Sequence, residues 1–119
     1  MKLSAHFDST EFDCHHCKTG GEDMDPALVE LLEVLREHFN KPVHITSGYR
    51  CPDHNKAVGG ATHSQHLLGT AADVQVKGVM PQDVAEYLDS KEESKGLGRY
   101  KTFTHVDVRS GPKARWGKN

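Results

Sequence analysis

Long apolar runs are missing from this 119-residue sequence, and nowhere do apolar side chains approach the ~18 in succession that a membrane-spanning helix needs. The opening MKLSAHFDST carries one Lys but no apolar core of the length a secretory leader requires, so the chain is expected to stay soluble and cytoplasmic where it is made. A basic excess is absent as well. Lys plus Arg number 15 against 17 Asp plus Glu, which argues against nucleic acid or an anionic membrane as partner. No internal repeat or low-complexity segment appears. The helical zinc signature H-E-x-x-H is also missing, so a metal would have to be held by loop and strand residues. Cysteine is scarce and odd in number: Cys14, Cys17 and Cys51 cannot all pair within one chain. In an unprocessed, cytoplasmic product a disulfide scaffold is disfavoured, and metal binding or free thiols gain weight.

What is present fits one compact domain, residues 1–119, of α+β class with a small, largely antiparallel sheet. Leu28, Leu31, Leu32, Leu35 and Phe39 form one apolar stripe, which predicts a helix from Pro26 to Phe39 with Asp25 as N-cap and Pro26 at its first position. Val43 to Thr46 reads as a short strand and Pro52 to Val58 as a short helix stopped by Gly59 and Gly60. Ala72 to Val76 alternates, with Val74 and Val76 on a buried face and Asp73 and Gln75 opposite. A second amphipathic helix is predicted over Pro81 to Leu88. In the final predicted strand, Phe103 to Arg109, Thr104, Val106 and Val108 share the core face, and Phe103, His105, Asp107 and Arg109 share the other.

Histidine is abundant, nine in all, and two of the nine combine with a carboxylate. If the strands of Asp73 and His105 are neighbours with their valine faces inward, both polar side chains project to the same side, where the preceding loop can bring His66 over them. Two nitrogens and one oxygen suit a catalytic zinc, which commonly takes three protein ligands and leaves a fourth position to water. Zinc both brings that water's pKa to about 7 and polarises a carbonyl. Ordinary surface residues are the bland alternative for such a set.

The stretch Ser64 to Asp73, SQHLLGTAAD, contains S-x-H-x-x-G-x-A-x-D and resembles the signature of the zinc D-Ala-D-Ala carboxypeptidase and L-alanyl-D-glutamate endopeptidase family. That family is grouped with vancomycin-resistance dipeptidases and the Hedgehog signalling domain. The likeness continues upstream in SGYRCPDHNKAVGGATHSQH and downstream in GLGRYKTFTHVDVR, in the family's order. It implies zinc ligands at His66, Asp73 and His105. It also implies an oxyanion-stabilising arginine at Arg50, in S-G-Y-R, and a substrate contact at Ser64, which as a residue could equally be a local cap. Several relatives place a Glu, Asp or His two to five positions before the last ligand, whereas here Tyr100, Lys101, Thr102 and Phe103 stand there. Asp107 is then the leading general base, with a carboxylate that orients a ligand histidine as its alternative reading, and with His63 and Tyr100 in reserve.

The resemblance implies a peptidase acting on peptidoglycan stem peptides, of bacterial or bacteriophage type; with no leader expected, it would reach the wall through a holin, on a virion or by a non-standard route, and a monomer is expected. The rival is a binding or assembly module that keeps the fold and metal without hydrolysis. Separately, Cys14-His15-His16-Cys17 has C-x-x-C spacing and Cys51-Pro52-Asp53-His54 supplies C-x-x-H. Cys14, Cys17, Cys51 and His54 could close a structural zinc site; a disulfide from Cys51 to Cys14 or Cys17, or three unlinked thiols, compete with it.

Overall fold

A computed structural model describes residues 1–119. Three α-helices, α1 (Pro26–Phe39), α2 (Pro52–Ala57) and α3 (Pro81–Asp89), accompany five strands: β1 (Val43–Ser47), β2 (Ala71–Val76), β3 (Gly96–Arg99), β4 (Thr104–Asp107) and β5 (Ala114–Gly117). The strands form one sheet in the order β1-β2-β4-β3-β5, antiparallel except for the β3–β5 pair, so the architecture is α+β as expected.

α1 starts and stops where its residues dictate. The Asp25 carboxylate accepts from the Ala27 N–H at 2.9 Å, Pro26 occupies the first turn, and Asn40 ends the helix in the left-handed conformation. Leu28, Val29, Leu31, Leu32 and Leu35 are buried, each contributing roughly 1.5–3 kcal/mol of transfer free energy. They pack with Val84 and Leu88 of α3 against Ile45, Val74, Val76, Leu97 and Val106 of the sheet. The helical layer thus covers the valine face, and polar residues of β2 and β4 are left on the other.

Two strands were not foreseen. β3 reads GLGR, and its glycines carry little strand preference of their own. Their value is space: a Cβ on Gly96 would overlap the Asp107 carboxylate, and one on Gly98 would run into the Trp116 ring. The last predicted strand is also shorter than its alternation suggested. β4 stops at Asp107, because Arg109 turns back to bind that carboxylate. Nor does β4 have a wet face. Thr104, His105, Val106 and Asp107 are all buried, since β4 lies inside the sheet with the core on one side and Arg109 and Trp116 over the other.

Candidate metal centre

Antiparallel pairing sets Asp73 of β2 directly opposite His105 of β4, which places both side chains on one face. His66 arrives from a 3₁₀ turn, Gln65–Leu68, capped by Ser64, whose hydroxyl accepts from the His66 N–H at 3.2 Å. Gly69 closes that turn at φ +71°, a conformation costly for any residue with a Cβ, and so returns the chain to β2 within two residues.

His66 is 1 % exposed, and its Nδ1 lies 2.7 Å from the Gly48 carbonyl oxygen. A carbonyl only accepts, so Nδ1 carries a proton, and Nε2, 3.2 Å from Asp73 Oδ1, is the nitrogen left to take an ion in place of a proton. On the other side, His105 Nε2 donates to Asp107 Oδ2 at 2.7 Å, and its Nδ1 faces the same Asp73 oxygen at 3.0 Å. Each ring is therefore held at its outer nitrogen by an oxygen acceptor, with its inner nitrogen turned toward Asp73. The donor atoms of His66, Asp73 and His105 lie within 4.8 Å of one another. This is the arrangement that zinc-binding histidines require, an outer hydrogen bond fixing the tautomer that leaves a lone pair for the ion. The residues fit zinc, with His66 Nε2, Asp73 Oδ1 and His105 Nδ1 as the atoms that would hold it.

Charges follow the geometry. Burial opposes ionisation of Asp73, but the hydrogen bonds of His105 and His66 bring its pKa down to about 2. Burial also opposes a charged His105, and the hydrogen bonds to Asp107 and Asp73 outweigh it, raising the imidazole. Asp107 is held well below the usual carboxylate range despite its burial, chiefly by the Arg109 guanidinium and His105.

Asp107, expected as general base or as a carboxylate orienting a ligand histidine, is enclosed. Its side chain has no exposed surface, and its oxygens are taken by His105 at 2.7 Å, Arg109 Nε and Nη2 at 2.8 Å each, and the Arg109 backbone N–H at 3.2 Å. A carboxylate so enclosed and engaged does not suit proton exchange with a water in the cleft. What it does hold is the outer nitrogen of His105.

The face beyond Asp73 opens into a cleft of about 510 Å³, lined by Arg50, His63, Ser64, Tyr100, Phe103 and Trp116 among others. Asp73 is the one carboxylate on its walls. Arg50 has no acidic partner; its Nη2 donates weakly to Ser64 Oγ at 3.4 Å, and its buried Nε has no partner at all. Ser64 is thus both a cap for His66 and a support for Arg50. Tyr100 and Phe103 stack at 4.4 Å, and Trp116 Nε1 donates to Tyr100 Oη at 2.9 Å, giving one wall an aromatic surface.

The sequence model of a known family, Peptidase M15, matches residues 5–107, most of the chain. The chain belongs to the Peptidase M15 family. Membership implies a zinc metallopeptidase, in agreement with the donor set. No curated protein matches the chain. No helix is long and apolar enough to cross a membrane.

Sequence reasoning missed three parts of this M15 site: the Gly48 carbonyl, Arg109 and Trp116. The first depends on a β-bulge at Thr46, where the β1–β2 register shifts between Ile45 and Ser47 and re-aims the chain toward His66. Alternating glycines in GLGR, which leave room for Asp107 and Trp116, were the available signal for the other two.

Cys14, Cys17 and Cys51 are free thiols whose sulfurs lie within 4.8 Å of one another. Burial raises the Cys14 thiol, but backbone N–H groups of Cys51, Cys17 and His16 bring it down to about 7. His54, expected as the fourth member, is not drawn in. Its backbone N–H reaches Cys51 Sγ at 3.4 Å as α2 begins, while its ring lies against those of His15 and His16.

Proposed function

We propose that this chain hydrolyses amide bonds in peptidoglycan stem peptides, as a D-Ala-D-Ala carboxypeptidase or murein endopeptidase, in bacterial or bacteriophage wall degradation. The observation that carries the reading is an unpaired arginine, Arg50, on the wall of the cleft into which the His66, Asp73 and His105 centre opens. Bound there, zinc supplies a Lewis acid and a water acidic enough to attack at neutral pH. Arg50 offsets the negative charge that grows on the carbonyl oxygen as the amide carbon becomes tetrahedral. The same guanidinium and the Tyr100, Phe103 and Trp116 wall suit a short peptide bearing carboxylates.

Asp107 is a positioning residue in this scheme, and proton transfer falls to another group. His63, exposed on the cleft wall, is the proposed carrier, taking a proton from the attacking water and returning it to the leaving amine; Tyr100 is second choice. Ser64 meets substrate only through the cleft edge that its hydroxyl shares with Arg50.

A non-catalytic zinc module of the same fold is the second reading, favoured by the lack of any cleft carboxylate besides Asp73. Incubating the zinc-loaded protein with purified peptidoglycan, followed by mass analysis of soluble fragments, decides between them. Release of peptide or D-alanine that His66→Ala abolishes supports the enzyme and locates the bond. No release from a protein that binds zinc through His66 leaves the module.

A further inference from the structure

The cysteine cluster lies outside the catalytic cleft and is built from two distant pieces of chain. Cys14 and Cys17 belong to a tight turn closed by Lys18 N–H to the Cys14 carbonyl at 2.8 Å and Cys14 N–H to the Thr19 carbonyl at 2.9 Å. Lys18 adopts φ +60° to complete it, an uncommon conformation for a residue with a long side chain. Cys51 comes from the loop between β1 and α2. Donors already aim at the sulfurs: the Cys51 N–H lies 3.4 Å from Cys14 Sγ, and the His54 N–H lies 3.4 Å from Cys51 Sγ. Such N–H groups stabilise thiolates rather than thiols.

A disulfide would use two of the three sulfurs and leave the third beside it without a role. A thiophilic ion uses all three. Tetrahedral zinc with Zn–S of about 2.3 Å sets its sulfurs roughly 3.8 Å apart, so small side-chain rotations from the present spacing suffice.

We propose that Cys14, Cys17 and Cys51 hold a second metal ion, a divalent cation of the zinc class, which clamps the N-terminal segment to residues 48–51. The role follows from what those residues do. Gly48 orients His66 through its carbonyl, and Arg50 reaches the cleft. Between residues 9–21 and 48–51 there is one backbone-to-backbone hydrogen bond, Tyr49 N–H to the Phe12 carbonyl at 2.8 Å. The clamp goes beyond the peptidase reading and stands whether or not the protein cleaves peptidoglycan, though the consequence for Arg50 rests on that reading.

Cobalt(II) reports the ligand set directly, because thiolate ligation produces an intense near-ultraviolet charge-transfer band that imidazole and carboxylate do not. The reduced 119-residue chain, loaded with Co²⁺, is expected to bind two ions and to show the band. His66→Ala with His105→Ala should lose one ion and keep the band. Cys17→Ser, at an exposed position with little bearing on folding, should lose the band and one ion while the histidine centre stays filled. Cys14→Ser is a second variant with the same expected loss. Alkylation of the wild-type thiols should slow at least tenfold on loading. The proposal is overturned by a band absent in the wild type, by a band lost with the histidines, by two ions retained in Cys17→Ser, or by alkylation rates that metal leaves unchanged.

Discussion

Replacing Asp107 by Asn separates orientation of a ligand from proton transfer. The carboxylate accepts four hydrogen bonds, one from His105 and three from Arg109. An amide keeps the shape but has one accepting atom, so its NH₂ either takes the Oδ1 place and faces Arg109 alone, through Nε and the backbone N–H, or takes the Oδ2 place and faces the imidazole together with Arg109 Nη2. Facing the imidazole, it forces His105 to accept at Nε2 and to carry its proton on Nδ1, the atom that faces Asp73. The lone pair for zinc is then gone until the ring changes tautomer. Facing Arg109, it sets donor against donor in a pair with no exposed surface on the Asp107 side. Outer hydrogen bonds of this type are worth roughly 10–100-fold in metal affinity, or about 1.4–2.8 kcal/mol at tenfold per 1.4 kcal/mol. Competition against a chromophoric chelator at neutral pH measures the zinc dissociation constant. The expected result is a loss in that range, with the remaining activity restored by excess zinc. An unchanged dissociation constant with activity abolished would refute the reasoning and return Asp107 to the role of base.

Other perturbations isolate neighbouring parts. Arg50→Ala should lower kcat roughly 10²–10³-fold in steady-state assays on peptidoglycan fragments while leaving the zinc dissociation constant within about twofold, because the guanidinium touches no metal ligand side chain. His63→Ala should lower kcat roughly 10²-fold and change its pH profile at unchanged zinc affinity, whereas Tyr100→Phe should do so only if the phenol carries the proton. Glu33 offers a pH test away from the site. Burial opposes its ionisation, but Ser4 and His6 donate to it and lower its pKa, so its contribution is present above the unfolded value of about 4.3 and is lost as pH falls through the folded value. Glu33→Gln should therefore cost about 1 kcal/mol in urea unfolding at pH 7 and nothing once the wild-type carboxyl is protonated.

Much of the scaffold could be read from local pattern. α1 follows from its leucine stripe, its Asp25 cap and its terminal Asn40, and the alternation through Ala72 to Val76 and through His105 put the polar members of β2 and β4 opposite their valines. The His66 to Asp73 stretch is a short 3₁₀ turn, a glycine at positive φ and a strand. These features are encoded by neighbours within a few residues, where sterics and side-chain periodicity act directly.

The surroundings of Asp107 were decided elsewhere. Alternation located it on the His105 face, but only the docking of β3 and the return of Arg109 seal it from water. Likewise the C-x-x-C spacing suggested a metal, yet the meeting of Cys14 with Cys51 and the exclusion of the His54 ring depend on how the N-terminal segment lies against the β1–α2 loop. The sequence by itself determined which residue types could bind metal and which side of each strand they occupy. Tertiary packing determined which of them see solvent, because burial and hydrogen-bond partners come from segments dozens of residues apart, brought together by a core that local pattern does not specify.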